Sequence, residues 1–252
     1  MSAPILENPD LIQSLKEPHR GTFDELAAIE LISDDGFPME SGWHRKCMNL
    51  LIDQIDELYR GRNDYYVGGN MFIYFNIEQI KTRDFRGPDF FYVANSTRLP
   101  VRKTWTVWKE RNHTPSVVIE LTSPSTREED LGEKLRVYRD ELRVSDYFVY
   151  DPDSSELLGW RLEKRRYVPL EADAHGRLPC AELELSLGTW EGEFVTDVGT
   201  WLRFFDREGH VVPTPEEAAN QRTDAAEAEI ARLRDLLGKL QAGTQNGTAN
   251  HS

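Results

Sequence analysis

Only two cysteines, Cys47 and Cys180, occur in the 252 residues. They lie far apart and in no metal-type spacing, which excludes a disulfide scaffold and a cysteine-built zinc site. No apolar run approaches the ~20 residues of a membrane-spanning helix, so no membrane partner is expected. The opening stretch, MSAPILENPDLIQSLKEPHRG, has no apolar segment of the signal-peptide kind. These absences together point to a reducing cytoplasm. Basic residues are scarce too: 30 against 44 acidic, a net charge of -14. An acidic whole argues against general attraction to nucleic acid. The scarcity is uneven, however. Residues 81–143 carry 13 basic and 10 acidic groups, between flanks that are acidic. A local positive field of that kind can attract phosphate, although ordinary surface variation explains it equally well. No internal repeat is found.

What is present suffices for a core. Hydrophobic residues make up 39% of the chain and aromatic residues 10%, which argues against general disorder. The expected organisation is a lead-in over 1–34, one α/β domain over 35–212, a helix over 213–241 and a frayed tail over 242–252.

Trp43, Cys47, Leu50, Leu51, Ile55 and Leu58 step by three, four and seven, which predicts an amphipathic helix. Ser41 is its candidate cap and Gly61 its stop. Strands are expected at 70–78, 87–94, 116–121 and 145–152, with a polar, basic loop over 95–114. SPSTREED supplies helix-start chemistry, with Ser125 or Thr126 as cap, and a helix runs to about Arg143. LLGWRLE and RRYVPLE read as a hairpin around Lys164 and Arg165, and DVGTWLRFFD as a short helix. In the last helix Ala219, Ala226, Ile230, Leu233, Leu237 and Leu240 fit a coiled-coil seam. That seam would either join a second copy as a homodimer or dock on the chain's own domain.

One stretch poses a chemical problem. VVIEL, residues 117–121, has the composition of a strand buried on both faces, yet contains Glu120. A buried ionised carboxylate must be neutralised, paired or bound to a metal. Asp89, after Pro88 at the start of the preceding strand, is one companion. Lys134 is another. Leu131, Leu135, Tyr138 and Leu142 mark the buried face of the next helix, and Lys134 lies on its border. Two carboxylates on neighbouring strands offer hard oxygen ligands to Mg²⁺ or Mn²⁺, and a lysine beside them can steady charge on a phosphate. The bland alternatives are a turn-forming Asp89, a Glu120 paired with an arginine such as Arg86, and a Lys134 paired on the surface with Asp130.

The string GPDFFYV followed by PSVVIELTSPSTREEDLGEKLRVYRDELRVSDYFVYDP resembles the Uma-type restriction endonuclease family, of the PD-(D/E)XK nuclease superfamily. The positions that carry the likeness are Pro88 and Asp89, Glu120, Ser123 to Ser125, Asp130, Lys134 and Tyr138, and Asp151 with Pro152. The resemblance implies a restriction-endonuclease-like α/β core: a mixed central sheet flanked by helices, followed here by a long C-terminal helix. It implies a metal-dependent endonuclease cutting DNA (RNA remaining open), with Asp89 and Glu120 as metal ligands and Lys134 as the charge-stabilising group. Asp130 and Tyr138 would support the lysine. Such nucleases often add an acidic residue from the first helix, and Glu40 and His44 are the candidates. One departure counts against activity: the superfamily's lysine should stand two residues after Glu120, where this chain has Thr122. The rival expectation is therefore a catalytically weak or inactive binding module on a nuclease scaffold.

Overall fold

The computed structural model describes residues 42–77, 79 and 87–248, and side chains of the C-terminal helix as far as residue 239. Glu40, Ser41, Arg86 and the lead-in expected over 1–34 lie outside the described residues.

The first helix, α1 (Gly42–Leu58), buries Cys47, Leu50, Leu51 and Ile55 along the predicted stripe. Past its end Gly61 adopts a φ of +85°, which a β-carbon would resist. The main sheet has six strands in the order β1-β3-β5-β6-β7-β8. These are β1 (Tyr65–Gly68), β3 (Phe90–Ala94), β5 (Val117–Leu121), β6 (Asp146–Asp151), β7 (Glu156–Glu163) and β8 (Arg166–Pro169). In this sheet, among the described residues, only β5 and β6 run parallel; the other neighbours are antiparallel. Parallel neighbours need a crossover, and the helical segment after β5 provides it. That segment consists of α2 (Arg127–Glu129), a π-helical turn (Asp130–Lys134) and α3 (Leu135–Asp140).

Alternation along β5 divides the core. Val117, Ile119 and Leu121 join α1 on one face; Val118 joins Tyr138 and Leu142 on the other. Glu120 follows Val118 by two and so shares the crossover-helix face.

Several expectations change. The strand expected over 70–78 reduces to β2 (Ile73–Tyr74), paired in parallel with β4 (Trp105–Thr106). The loop expected over 95–114 therefore contains a strand. Arg102, in that loop, stacks on Tyr66 and Trp105 and pairs with Glu110. β1 had no counterpart in the sequence reading. DVGTWLRFFD is not a helix: it forms β11 (Asp197–Phe205), antiparallel to β10 (Leu185–Phe194), with β9 (Leu178–Cys180) completing a second sheet. Gln54 of α1 ties this sheet to the helix, accepting from the Phe204 N–H at 3.1 Å and donating to the Val212 carbonyl at 2.5 Å. The final helix, α4 (Pro215–Thr248), docks only at its start: Ala218 is buried, whereas residues 219–239 are exposed. Among the described residues, none covers the apolar seam as far as residue 239.

Candidate functional site

Antiparallel register brings the two strand carboxylates together. Phe90 faces Ile119, so one further step sets Asp89 opposite Glu120. The Leu121 N–H donates to Asp89 Oδ2 at 2.7 Å, which pins Asp89 to β5. On its other side Asp89 Oδ1 lies 2.6 Å from His44 Nε2, at the start of α1. Backbone packing holds Asp89 in place as well. Asn70 N–H donates to the Pro88 carbonyl at 2.8 Å, and Gly69 passes so close to the Asp89 carbonyl that a β-carbon there would collide with it.

The crossover helix supplies the remaining groups. Tyr138, fully buried, donates its hydroxyl to Glu120 Oε1 at 2.7 Å. Lys134 Nζ stands 3.2 Å from Glu120 Oε2 and 2.7 Å from Asp130 Oδ1. The pair of Lys134 with Asp130 is thus real but not on the surface: the Asp130 side chain is only 2% exposed and that of Lys134 16%. The π-helical turn containing both was not foreseen; an uninterrupted helix was expected. π-turns widen a helix locally and recur at functional sites. Here the Tyr147 hydroxyl donates to the Asp130 carbonyl at 2.8 Å, within the turn. Thr126 stands at the cap position, but its hydroxyl accepts the Ser123 N–H at 3.0 Å and makes no side-chain cap bond.

Electrostatically the cluster is unbalanced. Burial pushes the Glu120 carboxyl well above its usual range; Lys134 opposes this, and Asp89 and Asp130 reinforce it. For Lys134 burial acts downward, but Glu120, Asp130 and Asp89 outweigh it and hold the ammonium strongly protonated. Among the described residues, three acidic side chains therefore surround one lysine ammonium.

Asp89, Glu120, Lys134, Asp130, Tyr138 and His44 are brought into one cluster; Glu40 falls outside the described residues. Thr122, at the position where the superfamily keeps its lysine, is buried, with its hydroxyl 3.4 Å from that of Thr126. It offers no cation. Among the described residues, part of the basic character of 81–143 is taken up in ion pairs. Arg98 pairs with Asp56, Arg102 with Glu110, Arg127 with Asp151 and Glu156, and Arg139 with Asp140.

Among the described residues no group of three or more His, Cys, Asp or Glu could hold a metal ion. Mg²⁺ asks for less: one or two carboxylates with water and phosphate completing its shell. Asp89 and Glu120 meet that requirement in donor chemistry, and a cation would relieve the raised Glu120 carboxyl.

No curated protein matches the chain in sequence. One similar solved structure is described as a "putative nuclease belonging to DUF820" from Anabaena variabilis; it is 13% identical, with a TM-score of 0.44 over 64% of this chain and 90% of its own. A family model described as "Uma2: Putative restriction endonuclease" matches residues 18–197, which include Asp89, Glu120, Asp130, Lys134 and Tyr138. Since that match spans well over half of the 252 residues, the chain belongs to the Uma2 family.

Proposed function

We propose that this chain is a divalent-metal-dependent endonuclease that hydrolyses DNA phosphodiester bonds. The observation that carries the reading is the meeting of Asp89 and Glu120 on adjoining strands, with Lys134 3.2 Å from Glu120. Asp89 and Glu120 would hold Mg²⁺ or Mn²⁺. The ion, when bound, supplies Lewis-acid chemistry, drawing charge from phosphate oxygens and making water a better nucleophile. Lys134, permanently charged, steadies negative charge developing on the phosphate or orients the attacking water. Tyr138 fixes one Glu120 oxygen, Asp130 anchors the lysine, and His44 orients Asp89. RNA is an alternative substrate of the same chemistry. Both cysteines are free and buried, which suits the cytoplasmic setting proposed here.

A second reading is a weak or inactive nucleic-acid-binding or interaction module on the same scaffold. It is favoured by Glu120, whose two oxygens are already engaged by Tyr138 and Lys134. Plasmid nicking by the pure chain in Mg²⁺ or Mn²⁺, against an EDTA control, separates the two. Calorimetry should show divalent-ion binding that Glu120→Gln weakens strongly. Lys134→Met should lower cleavage by a factor on the order of 10², the scale for losing a charge-stabilising donor. No cleavage with either metal, together with metal binding unchanged in Glu120→Gln, would leave only the second reading.

A further inference from the structure

The exposed part of α4 presents an apolar face that nothing in its own chain covers among the described residues. Ile230 is 47% exposed, Leu233 49%, Leu237 57% and Leu236 45%. Four large aliphatics on one free helix are costly to leave in water, so the face is built to be covered. Its spacing identifies the cover. Thr223, Ile230 and Leu237 recur at seven and take position a of a heptad; Ala226 and Leu233 take position d. An isoleucine at a with a leucine at d favours two strands in parallel.

The charges flanking this seam carry the same message. Glu229 falls at g and Arg234 at e, five residues on; Arg222 falls at g and Glu227 at e, again five on. In a parallel pair each g residue faces the e residue five positions later on the other helix. Glu229 would then meet Arg234, and Arg222 would meet Glu227, on both flanks. Reversing one helix sets Glu227 across from Arg234 but leaves Glu229 against Leu236. In the single chain Arg222 bridges to Glu57 at 3.0 Å and Glu229 to Arg232 at 3.3 Å. The Glu229–Arg232 pair is exposed and of the kind worth little, and Glu57 keeps Arg60 as a partner when Arg222 leaves it, so both can exchange partners.

We propose that residues 219–239 form a parallel, two-stranded coiled coil with a second copy of this chain, its orientation set by the Glu229–Arg234 pairing between copies. The start of α4 is fixed to its own domain by the Arg203–Glu217 ion pair at 2.5 Å. Parallel pairing therefore holds two domains side by side at one end of the coil. The inference stands on the helix alone and does not depend on the nuclease reading.

Light scattering on the full chain tests it. The expected particle has twice the 29.1 kDa of one chain at micromolar concentration. Replacing Ile230 and Leu233 with Asp should halve that mass without changing the melting of the domain, since both side chains are exposed. Glu229→Arg should weaken association about tenfold, and adding Arg234→Glu to the same chain should restore it. Leu237→Cys should oxidise to a cross-linked dimer; Cys47 and Cys180 are buried and stay out of the exchange. A monomer at all concentrations, or a dimer indifferent to Ile230 and Leu233, overturns the proposal. A dimer that forms but does not cross-link at residue 237 overturns the parallel arrangement.

Discussion

Ionising Glu120 means placing a negative charge on a residue 1% exposed, beside Asp89 and Asp130. Its folded-state pKa lies above the unfolded one, so the folded chain holds this proton more tightly. Stability from that source is complete below the usual value of 4.5 and is lost as pH rises toward about 8. For one proton the slope cannot exceed about 1.4 kcal/mol per pH unit. Melting in EDTA should therefore fall across this window in wild type. The fall should be flatter in Glu120→Gln, which has no proton to lose, and flatter in wild type with divalent ion present. Identical pH profiles for the two proteins would show that Glu120 does not titrate there. Lys134 bears on stability as well as on chemistry. It stands between the two buried carboxylates of Glu120 and Asp130, and unpaired buried charge is expensive. The residues of this cluster were legible because a carboxylate inside VVIEL violates the local pattern. Their environment was not, because the depth of Asp130 and Lys134 depends on how the crossover segment lies on the sheet.

At the level of elements, the main strands and the first helix followed from period and punctuation. The β10–β11 hairpin did not, and the reason is local. In DVGTWLRFFD, Val198, Trp201, Leu202 and Phe205 recur at i, i+3, i+4 and i+7, the pattern of a helix face. Yet Trp201 through Phe205 are all buried in β11, where the register with β10 decides the conformation. A fully covered strand loses the alternation by which strands are recognised. β1 was missed for a related reason: four residues, YYVG, are too few to show any period. Its exit nevertheless positions the site. Gly69 leaves β1 against the Asp89 carbonyl, with Met48 of α1 on the other side. Gly69→Ala should therefore push Asp89 off its register with β5. The expected outcome is weaker divalent-ion binding by calorimetry together with a melting loss of about 1–3 kcal/mol, the usual scale for overpacking. Unaltered metal binding in a destabilised variant would make Gly69 a packing residue only.

For the whole molecule, the first turn of α4 packs with the domain that precedes it. The expected division at residue 213 assigned the complete helix to a separate unit. Arg203, fully buried in β11, reaches across to Glu217 with both terminal nitrogens, at 2.8 and 2.5 Å. Glu217 also accepts the Thr214 N–H at 2.8 Å, and Thr214 and Ala218 are both buried. The first turn of α4 thus completes the domain, while the exposed turns after Ala218 leave it. Truncation can separate the two roles. Deleting 224–252 should yield a folded monomer whose melting matches that of the dissociated full-length chain. Deleting 216–252 should cost about 3 kcal/mol more, because it strips Glu217 from a buried arginine. Circular dichroism melts of both truncations at equal concentration provide the comparison. If both melt alike, Arg203 is satisfied by its bond to the Val212 carbonyl and its place over the Trp190 ring, and the domain ends before α4 after all. If only the longer deletion fails, the same 34-residue helix serves first as a plug for β11 and then as a free arm.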